Sequence, residues 1–133
     1  MTNATLLLSR ILLSFMFIPA GLQKFGDLAG TAGYIASVGL PMGTVLAPAS
    51  GIFEALAGIA VLIGFQTRIA SWLLALFCAF TALMFHYVPG DMMQMMTMTK
   101  NLAIAGGFLA LAVAGAGAWS VDGWRGTRTY AHA

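Results

Sequence analysis

Four apolar stretches dominate the chain, at about residues 4–22, 45–64, 69–88 and 102–118, each of roughly 17 to 20 residues with almost no charge. At 1.5 Å rise per residue such a stretch matches a hydrocarbon core of about 30 Å, so each predicts a membrane-crossing helix. The charge inventory agrees: of 133 residues only six are Lys or Arg and four are Asp or Glu, and 60% are hydrophobic. Soluble domains carry about 25% charged residues. Ten charges cannot cover a water-facing surface, and a lipid bilayer is the expected surroundings. The expected fold class is an all-α membrane protein, a four-helix transmembrane bundle forming one domain over residues 1–133.

The connections constrain the bundle further. The first span resembles a signal peptide in position, but Arg10 lies inside it and Pro19-Ala20-Gly21 runs into Lys24 without an A-x-A-like cleavage site, so it is expected to stay as a helix. A Gly-rich loop over residues 23–44 follows, with a short interfacial helix expected around residues 31–38. Phe65-Gln66-Thr67-Arg68 is short enough to force an antiparallel hairpin between the second and third spans. Residues 89–99 are expected to be the loop between the third and fourth. Four spans put both termini on one side, which holds Arg68, Arg125 and Arg128, with Arg10 nearest to it. Lys24, Lys100, Asp27 and Asp91 fall on the other side. The excess of arginine predicts cytoplasmic termini, in a bacterial inner membrane. Trp72, Trp119, Trp124 and Tyr130 gather toward the arginine-rich side, as aromatic side chains do at headgroup level. Gly51, Ala55 and Gly58 in the second span, and Gly106, Gly107, Ala110 and Ala114 in the fourth, are spaced for close helix packing.

Several function classes fall away at this level. The net charge of +2 comes from scattered residues, with no basic run to follow a phosphate backbone, so nucleic-acid binding is excluded. Cys78 is the sole cysteine, which rules out an internal disulfide, a redox pair or a cysteine zinc site. It lies in mid-span and reads as a small apolar filler. Redox chemistry would need a bound cofactor or a partner protein.

Polar groups within the spans are then the informative ones. Glu54 lies about nine residues into the second span, roughly 14 Å from its outer end and so near the midplane. An ionised carboxylate there costs about 2.5 kcal/mol or more, so Glu54 must face the bundle interior and find a partner or stay protonated. Arg10, about six residues into the first span, is the expected partner. The pair either fixes helix register or handles a ligand or protons, and energy alone does not choose between these. Toward the other side, Gln23, Lys24, His86, Lys100 and Asn101 are expected to surround an outward-facing vestibule. The lysines have the plainer role of snorkelling to the interface. Met92, Met93, Met95, Met96 and Met98 crowd one segment. Thioethers such as Met92, Met95 and Met98, with His86, can bind Cu(I), but flexible methionines filling an irregular interfacial surface are the simpler account.

These pieces also form a pattern. Gly51-Ile52-Phe53-Glu54-Ala55-Leu56-Ala57-Gly58, followed by Leu62-Ile63-Gly64-Phe65-Gln66-Thr67-Arg68, resembles the central signature of the DoxX family of small bacterial membrane proteins. Arg10 with Gly21-Leu22-Gln23-Lys24-Phe25 resembles its first-helix motif, and Gly39-Leu40-Pro41 its first loop. Lys100-Asn101-Leu102-Ala103 resembles the start of its fourth helix, and Gly115-Ala116-Gly117 with Ser120-Val121-Asp122 its C-terminal end. The resemblance covers nearly the whole chain and implies a four-helix inner-membrane protein. It further implies association with redox systems, since some relatives accompany a thiosulfate:quinone oxidoreductase or a quinol oxidase, and others accompany membrane redox complexes. With no haem-ligand set or cysteine pair, this chain is expected to be at most a non-autonomous oxidoreductase subunit. Its bundle would bind quinone or another small amphipathic ligand, beside a membrane redox partner or a second copy of itself. A small-solute or proton permease and a structural scaffold are the competing classes.

Overall fold

A computed structural model of the chain describes the backbone of residues 1–131 and the side chains as far as Gly126. The side chains of Arg128 and Tyr130 therefore lie outside the described residues. Among the described residues there are six α-helices and no strand: α1 (Thr2–Lys24), α2 (Leu28–Ser37), α3 (Gly43–Ile63), α4 (Thr67–His86), α5 (Met92–Ala114) and α6 (Val121–Ala131). The helices α1, α3, α4 and α5, of 20 to 23 residues, are long and apolar enough to cross a membrane. Leu12, Phe15, Leu56, Leu76, Leu83 and Val113 all point outward. An exterior of bulky apolar side chains suits lipid and would be untenable in water. The end of the bundle that carries the N-terminus is called the near end below, and the opposite end the far end.

The bundle consists of two close pairs, α1 with α3 and α4 with α5, joined by lighter seams between α3 and α4 and between α1 and α5. Small residues bring the first pair together. A Cβ on Gly21 would lie 2.5 Å from the carbonyl oxygen of Gly51 and 2.7 Å from the amide nitrogen of Ala55, so only glycine fits there. Further along, Gly58 faces Phe17 and Ile18. These contacts fix the antiparallel register of α1 on α3. Between the pairs, Phe17, Val61, Leu74, Phe108 and Leu111 form the core, with the Phe17 and Phe108 rings edge to face at 5.4 Å.

The hairpin between α3 and α4 turns on Gly64, at φ 73°, where the amide of Phe65 reaches back to the carbonyl of Ala60. This six-residue closure is the Schellman arrangement that glycine permits. The interfacial helix expected near residues 31–38 is α2, capped by Asp27, whose side chain accepts the amide of Gly30. It packs on α3 at the far end.

Two expectations need correction, and one helix is added. Residues 89–99 are not a loop, because α5 begins at Met92 and only residues 87–91 connect it to α4. Asp91 caps α5 by accepting the amide of Gln94, and unbranched methionines are good helix formers, whereas an apolar window beginning after Lys100 misses both signals. At its other end α5 stops at Ala114, where Gly115 and Gly117 both adopt φ 79°. Of the small residues expected to pack the fourth span, Gly107 faces Leu13 of α1, but the other three do not lie on its packing face. Ala105, Phe108, Leu111 and Ala112 do, while Gly106, Ala110 and Ala114 are exposed. Finally, α6 is a further helix, opened by Ser120, whose hydroxyl accepts the amide of Gly123.

Candidate functional site

The register set by Gly21 decides where the buried charges go. Lys24 lies one turn beyond Gly21, within reach of Glu54 on α3, and its Nζ donates to Oε2 at 2.8 Å and to Oε1 at 2.9 Å. The Glu54 side chain is 5% exposed and that of Lys24 is 25% exposed. The expected pairing of Arg10 with Glu54 is thus overturned. Arg10 precedes Lys24 by fourteen residues, about 21 Å along the helix axis, and lies level with the opposite end of α3. There its guanidinium, 1% exposed, donates through Nη1 to the carbonyl of Leu62 at 3.0 Å and through Nη2 to the carbonyl of Trp119.

The Lys24–Glu54 pair lies in the wall of a cavity of about 760 Å³ in the far half of the molecule. The cavity fills the space between the α1/α3 pair and α4, and α2 lies over it. Phe17, Phe53, Phe77, Phe80, Phe85, Ile35 and Leu46 make most of its surface. Aromatic contacts at 5.2 Å between Phe53 and Phe77, and at 5.1 Å between Tyr34 and Phe85, join helices across it. Polar groups are few: Gln23, Lys24, Ser50, Glu54, Thr31, Tyr34, Thr81, His86 and Asn101. Some are already engaged locally. The Thr81 hydroxyl donates to the carbonyl of Phe77, that of Ser50 to Ala47, and that of Tyr34 to Phe85. Lys24 retains one ammonium proton beyond the two given to Glu54, and His86 contacts Gln94 through Nδ1 at 2.8 Å. A mostly apolar chamber with a few convergent polar groups is the usual form of a small-molecule site.

Five of the residues singled out by sequence, Gln23, Lys24, Glu54, His86 and Asn101, therefore line one cavity. Arg10 and Lys100 do not. Lys100 precedes Asn101 by about 100° around α5 and is exposed to the outside. Of the methionines, Met92 is exposed, whereas Met95 and Met98 are half-buried on the same helix. Among the described residues no cluster of three or more His, Cys, Asp or Glu is placed to hold a metal. Cys78 is buried in the core and touches the cavity wall. The α2 residues Thr31, Tyr34 and Ile35, and Gln94 behind His86, escaped sequence reasoning. The Asp27 cap is the signal that could have located α2, but nothing local tells which face it turns to α3.

The near end is closed by a second polar assembly. Asp122, at the start of α6, accepts the amides of Gln66 at 2.8 Å and Thr67 at 2.9 Å, and its own amide donates to the carbonyl of Gly64. Gln66 offers α4 no side-chain cap, so a residue 55 positions away supplies it. The Asn3 side chain accepts the amide of Ala118, and the Arg125 guanidinium lies 5.6 Å from the centre of the Phe65 ring. Arg10, between Leu62 and Trp119, joins three segments at this end.

Comparison with known proteins agrees with this architecture. The DoxX family model matches residues 5–87. The chain is 40% identical over 116 residues to the inner membrane protein YqjF of Escherichia coli strain K12, covering 87% of this chain and 88% of that one. It is 37% identical over 122 residues to the inner membrane protein YphA of the same organism, covering 88% and 87%. No solved structure matches the chain. The matched family segment spans α1 to α4, including Gly21, Lys24, Glu54 and the Gly64 turn that set the helix register and the cavity wall, and the chain belongs to the DoxX family of integral membrane proteins.

Proposed function

We propose that this protein is a small inner-membrane ligand-binding subunit whose cavity takes a quinone or another small amphipathic molecule, in association with a membrane redox partner. The observation that carries this reading is the cavity itself, lined by Phe17, Tyr34, Phe53, Phe77, Phe80 and Phe85 and supplied with a neutralised Lys24–Glu54 pair in its wall. A pair held this way keeps net charge out of the membrane interior while offering a ligand one lysine proton and several carboxylate lone pairs. The aromatic walls suit a flat ring, and the surroundings suit an apolar tail. In this reading the ligand exchanges electrons with the partner.

In this reading both termini face the cytoplasm, with Arg68, Arg125 and Arg128 on that side, and the cavity lies in the half of the membrane opposite to it. The outward small residues Gly106, Ala110 and Ala114 leave α5 able to approach a second copy closely. Titration of detergent-solubilised protein with a short-chain ubiquinone analogue tests the reading. Saturable binding to the natural protein is expected, weakened about tenfold in Glu54→Gln, since the neutral amide no longer holds Lys24 as a charged donor. Absence of binding by the natural protein overturns it.

A further inference from the structure

The connection between α4 and α5 holds an arrangement that no part of the preceding reading uses. Asp91 and Gln94 have the spacing of a capping box, in which the first side chain caps the helix and the fourth normally reaches back to the amide of the first. Half of the box is made, since Asp91 accepts the amide of Gln94 at 3.1 Å. The other half is not. The amide of Asp91 donates instead to the carbonyl of Val88, and the Gln94 side chain turns to His86, placing its Oε1 at 2.8 Å from Nδ1. Gln94 is half-buried and His86 lines the cavity.

An amide oxygen only accepts hydrogen bonds, so the nitrogen facing it must carry the proton. In a neutral imidazole the proton on Nδ1 leaves Nε2 as a lone pair. We infer that Gln94 is a positioning residue that fixes His86 as a hydrogen-bond acceptor toward the cavity, so that the site selects ligands bearing a hydroxyl, such as a phenol or hydroquinone, over their donor-free counterparts. The inference rests on the cavity being a ligand site and specifies its chemistry. Lys24 and His86 give that site opposite polarities, a donor in the α1/α3 wall and an acceptor at the end of α4. A quinone can accept from the first but has no hydrogen to give the second, whereas a hydroquinone carries an acceptor for the first and a donor for the second. A site built around a hydroxyl binds the analogue lacking it more weakly, because its own polar group is then left unpaired.

The test uses 4-octylphenol and its methyl ether, in which a methyl group replaces the donor hydrogen, at about pH 8, above the ordinary histidine range. The natural protein in detergent is expected to bind the phenol about tenfold more tightly than the ether. Gln94→Leu should lose this preference, and Gln94→Glu, which keeps an acceptor for Nδ1, should retain it. Nitrogen-15 NMR of His86, in histidine-labelled protein carrying His132→Ala so that one histidine remains, supplies a readout that loss of packing would not imitate. The natural protein and Gln94→Glu should show protonation at Nδ1, and Gln94→Leu a mixture of tautomers. Equal binding of phenol and ether, a preference surviving in Gln94→Leu, or protonation at Nε2 in the natural protein overturns the inference and leaves the cavity reading standing. If neither these probes nor the ubiquinone analogue binds, both fall together.

Discussion

Arg10 and Glu54 are both buried charges on the tightly packed α1/α3 pair, and they differ in what surrounds them. Arg10 is held by main-chain carbonyls from the end of α3 and from the segment before α6, and among the described residues no carboxylate forms an ion pair with it. Glu54 is held by a lysine side chain and faces a chamber of about 760 Å³. A guanidinium bonded to carbonyls has its position fixed by the fold, because those acceptors cannot move away without unwinding backbone. An ammonium at the end of a four-carbon stem can reorient. The same helix pair therefore carries a brace at its near end and an adaptable polar group at its far end, and burial alone does not distinguish them.

The contrast can be broken most forcefully at Arg10. Arg10→Met keeps an unbranched apolar stem and removes two charge-assisted hydrogen bonds, each worth about 1.5–3 kcal/mol, so stability to denaturant in detergent should fall by about 3 kcal/mol. A loss below about 0.5 kcal/mol would show that the brace contributes nothing. A smaller effect is expected at Asp122, which caps α4 from a distance. Asp122→Ala should lower stability by about 1–2 kcal/mol, within the usual range for a lost cap, and should speed amide exchange at Gln66, Thr67 and along α6. Unchanged exchange at Gln66 and Thr67 would contradict the capping role. The least effect on stability belongs to Glu54→Gln, whose amide still bonds to Lys24. Its consequence should appear in ligand affinity.

Much of the fold was legible because lipid imposes a simple rule. Each of the four spans fell within a few residues of its helix, except where chemistry other than hydropathy sets the boundary. At α5 the Asp91 cap and the methionines extend the helix outward past Lys100, and at Gly115 a positive φ ends it early. The close approach of Gly51, Ala55 and Gly58 to α1 followed from spacing, but the outward turn of Gly106, Ala110 and Ala114 did not, because spacing identifies a face without saying what covers it. The Arg10–Glu54 pairing failed for a related reason. Depth along each helix placed both charges inside, whereas the offset between α1 and α3 depends on the contacts at Gly21 and Gly58, which no local pattern reveals. The cavity walls from α2 were likewise out of reach, since Thr31 and Tyr34 acquire meaning only once α2 is laid over the gap between the pairs.

In the proposed reading the far half of the bundle is a binding chamber while the near end is a lock. Filling the chamber tests this most directly. Ala49 lies in its wall on α3, and Ala49→Phe should occupy ligand space while leaving the Arg10 and Asp122 contacts untouched. The account predicts that this variant keeps its thermal stability in detergent and loses at least tenfold in affinity for the ubiquinone analogue. Affinity equal to that of the natural protein, in a variant that remains folded, would contradict it.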